Sequence, residues 1–144
     1  MDFGALLPSL SAERYDLAIS SITVTEERKE SVLFSDAYCR NPIVMAVLAD
    51  EPATGGEKTL ADLERAKIGI ITGTNYDNVA KEKFPNAERM YFSTSADVLL
   101  ALGQGKVDAY FADKVVVASM QWENQKVDYI DEPVEMISSA LILA

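Results

Sequence analysis

The sequence predicts an α/β fold built on a mostly parallel sheet. Two observations carry that expectation. From residue 59 onward, short apolar runs alternate with amphipathic segments of helical period, which is the pattern of βαβ units. The composition also suits a packed core, since 49% of the 144 residues are hydrophobic and 25% are charged, unlike a disordered chain.

The elements follow in chain order. Phe3, Leu6, Leu7 and Leu10 recur at i, i+3, i+4 and i+7, one face of a short helix. Asp2 stands where it would cap that helix, and Pro8 is expected to remove a hydrogen bond from its second turn. "YDLAIS" (15–20) reads as a strand and "EERKES" (26–31) as a polar helical turn capped by Thr25. "PIVMAVLA" (42–49) is a buried strand, and "EPATGGEK" (51–58) is a loop with a Gly-Gly break. The alternation then begins. A short helix "TLADLER" is capped by Thr59, followed by the strand "KIGIIT" (67–72) and a helix over 75–84 stopped by Pro85. After the strand "RMYFS" (89–93) comes a helix over 95–105, with Ser95 as cap, Val98, Leu99 and Leu102 as apolar face, and Gly103 or Gly105 as stop. "VDAYFA" (107–112) is a strand. Residues 113–124 carry a valine run that favours a strand, but their length and the Asp113 cap favour a helix. "VDYI" (127–130) and "SSALILA" (138–144) are strands. The opening directly into a helix and the ending on an apolar strand read as a piece of a longer protein.

Bulk chemistry excludes several function classes. A net charge of −10 disfavours nucleic acid and anionic membrane surfaces, both of which need a basic face. No apolar run reaches the roughly 18 residues that cross a bilayer, and the N-terminus lacks the pattern of a signal peptide. Histidine is absent, which removes the usual general base and most zinc sites. The single cysteine, Cys39, leaves no internal disulfide. Asp131, Glu132 and Glu135 lack calcium-loop spacing and read as solvated surface, so neither metal nor cofactor is expected.

In open α/β sheets, ligands bind beyond the carboxyl ends of strands. Three such ends carry polar residues: Ser20, Ser21 and Thr23 leading to Arg28; Gly73, Thr74 and Asn75 opening a helix; and Asp113. Arg28 can take a carboxylate through two parallel N–H···O bonds, backed by the amides of residues 73–75. Asp113, with hydroxyl and carbonyl groups of Ser21 and Thr23, suits an ammonium group. The set fits the polar handles of an α-amino acid. Each part alone has a plainer reading. Arg28 beside Glu26 and Glu27 is a surface ion pair, and Asp113 and Thr74–Asn75 are helix caps. Their combined order is what points to a ligand.

That order also carries a resemblance. "GALLPSL", "YDL", the Ser/Thr-rich turn, "EER" and "FSDAY" follow one another, then "DLERAKIG" with its "GT" turn, then "ALGQGKVDAYFAD". Taken together the chain resembles the family 3 extracellular solute-binding proteins, the receptors of polar amino acid ABC transporters. The resemblance implies a type II periplasmic-binding-protein fold with two lobes joined by two hinge strands. Residues 1–42 would be part of lobe 1, 43–136 a complete Rossmann-like lobe 2, and 137–144 the return toward lobe 1, with hinge crossings near 38–42 and 136–140. It implies a periplasmic or extracellular, non-enzymatic receptor whose partners are a small amino acid and a membrane permease. Ser20, Ser21, Thr23 and Arg28 would contact the ligand from lobe 1; Gly73, Thr74, Asn75 and Asp113 from lobe 2. The family's first strand–helix–strand, with an aromatic that stacks on the ligand, and its closing helices have no counterpart here. A homo-oligomer or strand-exchanged dimer is therefore also expected. The alternatives are the sensory domain of a receptor or kinase, a cyclohexadienyl dehydratase-like enzyme, and an oligomeric module that binds nothing.

Overall fold

The computed structural model describes residues 2–49, 58–123 and 125–143. They form one eight-stranded sheet flanked by helices. Its strands are β1 (Leu17–Thr23), β2 (Leu33–Phe34), β3 (Cys39–Leu48), β4 (Lys67–Ile71), β5 (Glu88–Phe92), β6 (Ala109–Asp113), β7 (Val127–Tyr129) and β8 (Glu135–Leu143). The helices are α1 (Leu6–Ser11), α2 (Glu26–Lys29), α3 (Tyr76–Lys83), α4 (Ser95–Gly103) and α5 (Lys114–Trp122), with 3-10 turns at Phe3–Ala5 and Leu60–Leu63. The expected loop at 51–58 lies outside the described residues except for Lys58.

The strand order is β1-β8-β3-β6-β4-β5, with β2 beside β8 and β7 beside β3. The expectation of a mostly parallel sheet is corrected. Only β4–β5 and β4–β6 run parallel, whereas β3 is antiparallel to β6, β7 and β8, and β8 is antiparallel to β1 and β2. The βαβ reasoning holds for β4-α3-β5-α4-β6, where each helix carries the chain back to start the next strand in the same direction. It does not reach β3 and β8, two long strands that pair from Cys39 opposite Ser139 to Ile43 opposite Glu135.

Alternating side chains divide the core. Ile43, Met45 and Val47 of β3 and Phe111 of β6 pack with Val79, Ala80 and Phe84 of α3 on one face. Val44, Ala46, Tyr110 and Ala112 pack on the other, under Val98, Ala101 and Leu102 of α4 and Val117 of α5. Both faces of these strands are thus covered, which is why they read as unbroken apolar runs. A third, smaller cluster of Leu10, Ile22, Val32 and Ile142 joins α1 to β1 and β8, with Phe3, Leu7, Ala18 and Phe34 against it.

Local details depart from expectation in four places. The α-helical part of the first segment starts at Leu6, so Pro8 sits in the first turn, where a missing N–H costs no intrahelical bond, and Asp2 makes no capping bond. Thr94, not Ser95, caps α4, accepting from the Asp97 amide at 3.1 Å. Helix α5 spans Lys114–Trp122, but Asp113, expected to cap it, closes the preceding strand and makes no side-chain capping bond. Finally, β1 runs on through the hydroxyl-rich stretch to Thr23, and its register against β8 breaks between Ala18 and Ile22, with Ser21 at φ 46°.

Candidate functional site

The parallel strands β4, β5 and β6 end on one edge of the sheet, and the bulged end of β1 lies opposite them. Between them is a cavity of about 420 Å³, lined by Ser20, Ser21, Thr23 and Arg28 from one side and by Thr74, Asn75 and Asp113 from the other. Seven of the eight residues expected from sequence therefore share one cavity. The eighth, Gly73, does not line it, but its carbonyl accepts a hydrogen bond from Nη2 of Arg28, a lining residue, at 2.9 Å.

The β1 side is built by the bulge. A left-handed Ser21 turns the strand, and the Ser21 amide donates to the Tyr38 hydroxyl at 3.0 Å. Thr25 caps the short helix α2 by accepting from the Arg28 amide at 3.2 Å, as expected, and this sets the direction of the arginine. Arg28 Nη1 donates to the Thr23 carbonyl at 2.9 Å. That carbonyl, expected to face an ammonium group, thus holds the arginine. The guanidinium lies 5.9 Å from the centre of the Phe3 ring. Burial lowers the Arg28 pKa, opposed by the charge of Glu27 and then by Tyr76, and the group stays cationic because arginine starts so high. It is no surface ion pair.

On the facing side, Thr74 folds back on its own turn. Its hydroxyl donates to the Ile71 carbonyl at 2.6 Å, accepts from the Tyr76 amide at 3.3 Å, and so supplies the cap that Asn75 does not. The Thr74 amide is bonded to the Ile71 carbonyl at 3.3 Å and is not free for a ligand. Asn75 accepts from the Asn78 side chain at 3.3 Å. Asp113 is 4% exposed and, although it begins α5, makes no capping bond. Its carboxylate accepts from the Tyr76 hydroxyl at 2.8 Å. Burial raises the Asp113 pKa, and the Tyr76 hydrogen bond pulls it partly back. Burial, and then the charge of Asp113, push the Tyr76 phenol well above its ordinary value, so it stays a donor.

The rest of the lining was not singled out from sequence. Ser93, Thr94 and Ser95 line the cavity, and so do Asp2, Phe3 and Tyr76. The strand-end rule that selected the other sites finds the serine–threonine group once β5 is included, because that group follows β5 directly. Asp2 and Phe3 carried no such signal, since they resemble any helix start.

Residues 1–86 match the family described as bacterial extracellular solute-binding proteins, family 3. The chain is 34% identical over 134 residues to the arginine-binding periplasmic protein of Mannheimia haemolytica, covering 92% of this chain and 52% of that protein. It superposes on the substrate-binding protein of an amino acid ABC transporter with a TM-score of 0.86 at 31% identity, covering 100% of this chain and 63% of that one. An ancestral amino acid-binding protein, a precursor of cyclohexadienyl dehydratase, also superposes with a TM-score of 0.86 at 26% identity, over 99% of this chain and 61% of its own. The chain spans about half the length of the curated relatives it matches.

Proposed function

Because the chain belongs to family 3 of the bacterial extracellular solute-binding proteins, we propose that it forms the binding cavity for a polar amino acid delivered to an ABC permease. The fold is of the type II periplasmic-binding-protein kind. One observation carries the ligand reading: Arg28 and the buried Asp113, far apart in sequence, line the same cavity. Arg28 has five N–H groups, two of which serve Thr23 and Gly73, and the others are left for a carboxylate. Asp113 is a desolvated carboxylate that gains most from a cation. Ser20 and Ser21 add hydroxyls between them.

The charge balance favours a cationic side chain. The charged residues lining the cavity are Asp2, Arg28 and Asp113. The α-carboxylate and α-ammonium of a ligand match Arg28 and Asp113, which leaves Asp2 for a side-chain guanidinium or ammonium. This agrees with the arginine-binding names among the relatives. In the same reading, residues 1–42 and 137–144 belong to one lobe and 43–136 to the other, with the paired β3 and β8 as hinge. The protein works outside the cytoplasmic membrane, and the ligand favours the arrangement in which both sides touch it.

A thermal-shift screen with the twenty amino acids tests this. L-arginine at about 100 times its dissociation constant adds about 2.7 kcal/mol of stability, a visible rise in Tm. The shift disappears in Arg28→Ala and in Asp113→Ala, and shrinks in Asp2→Asn for L-arginine but not for L-glutamine. A shift that survives Arg28→Ala and Asp113→Ala sinks the assignment. The dehydratase precursor among the structural neighbours makes prephenate and L-arogenate the right controls, and neither is expected to turn over.

A further inference from the structure

Two glycine backbones meet beside the cavity. Gly73, in the turn between β4 and α3, has φ 81°. A Cβ there would overlap the Cα of Gly4 and lie 2.9 Å from its nitrogen. Gly4 sits in the 3-10 turn Phe3–Ala5 that leads into α1. The two segments belong to different parts of the core. Phe3 and Leu7 pack with Leu10 and Ile22, whereas Ile70 and Val79 pack with Phe111 in a separate cluster.

Arg28 ties these segments together at the same point. One terminal nitrogen holds the Thr23 carbonyl and the other reaches across to the Gly73 carbonyl, each at 2.9 Å. The guanidinium also lies against the Phe3 ring, next to Gly4. A second cavity of about 450 Å³, lined by Thr25, Thr72, Asp77 and Tyr91 among others, lies beside the first. Both cavities share Phe3, Arg28, Ile71, Thr74 and Asn75, which are therefore the wall between them, and Gly4 and Gly73 line the second.

We propose that the Gly4–Gly73 approach and the Arg28 bridge are one device that sets the spacing of the two sides of the cavity. Gly73 is a positioning residue: its missing side chain lets the β4–α3 turn close on the first helix, and its carbonyl anchors Arg28. Arg28 then has two tasks, holding this contact and facing the ligand. The flat fork of arginine fits both, because its two ends donate in different directions. The single nitrogen of a lysine has no such fork. The device rests on the proposed ligand reading only for its consequence, a cavity held at the width of an amino acid. The contact itself is made by the protein's own atoms.

Hydrogen exchange on the ligand-free protein separates this from the alternatives. The probes are the amides of Leu6 and Thr74, bonded to the carbonyls of Phe3 and Ile71. Gly105 supplies the control, since it has φ 69° but nothing within 4 Å of an added Cβ. Gly105→Ala thus carries the left-handed strain without the overlap. Gly73→Ala is expected to speed exchange at both probes about tenfold. Arg28→Lys is expected to speed the same two amides less, and Gly105→Ala to leave them as in the parent. Parent-like exchange in both Gly73→Ala and Arg28→Lys overturns the proposal, as does equal acceleration by Gly105→Ala. Should Gly73→Ala not fold, Arg28→Lys alone decides. No ligand is present, so failure of the amino acid assignment shows separately, as an absent thermal shift in the parent.

Discussion

Among the described residues the Asp113 carboxylate accepts one hydrogen bond, from Tyr76, in a site that is 4% exposed. A carboxylate so placed is costly to ionise, and its raised pKa follows from that burial. The sign for stability is then fixed. The folded pKa lies above the unfolded value, so this group's contribution is fully present below the unfolded value and is lost as pH rises through the folded one. Above the folded value the ligand-free protein holds a desolvated charge. Asp113→Asn keeps an acceptor for Tyr76 and removes that charge. We expect it to raise the Tm of the ligand-free protein by a few degrees, as about 1 kcal/mol does in a chain of this size, while abolishing the amino acid shift. A Tm that falls below the parent's at pH 7 contradicts this account. In the parent, amino acid affinity should fall as pH drops through the raised pKa, because the neutral acid no longer attracts an ammonium; isothermal titration at several pH values reads it.

At the scale of elements, Gly69 shows how tightly β4 and α4 are fitted. A Cβ there would overlap Val98 Cγ2 and stand 3.0 Å from Tyr110 Cβ. Overpacking of this kind typically costs about 1–3 kcal/mol. Gly69→Ala should lose that much in urea unfolding, and Gly69→Ala with Val98→Ala should recover part of it, a coupling read from the double-mutant cycle. Additive losses would place the strain elsewhere. The β4-α3-β5-α4-β6 run was legible because each element shows its own period and stop. The direction of β3 was not. Its residues 43–47 are apolar on both faces, and such a run reads the same whether its neighbours are parallel or antiparallel. Its start at Cys39 was hidden by Pro42, which has no N–H to give to a ladder. The site was legible where chemistry is unusual for its context, as with Arg28 and Asp113. It was hidden at Ser93–Ser95, where a ligand-facing hydroxyl and a helix cap use the same residue types. The left-handed Ser21 left no trace, because serine does not advertise that conformation as glycine does.

For the whole molecule, charge is the property that bears on function. With 23 acidic against 13 basic residues the net charge is −10, and such a chain surrounds itself with a negative potential that concentrates cations. A free cationic amino acid would be drawn in by this field, whereas a neutral zwitterion would not. The excess negative charge at the cavity, one unit among Asp2, Arg28 and Asp113, continues the same field to the binding surface. The screening length shrinks from about 30 Å at 0.01 M salt to about 8 Å at 0.15 M, so the attraction is felt across the molecule in the first case and only near the cavity mouth in the second. Stopped-flow association should therefore be faster for L-arginine than for L-glutamine at low salt. The L-arginine rate should fall several-fold over that salt range while the L-glutamine rate stays nearly constant. Parallel salt responses for the two amino acids would mean that the net charge serves solubility alone. Selection of the proposed cationic ligand would then rest on the contacts inside the cavity, on Asp2 first of all, and would appear in the dissociation rate instead.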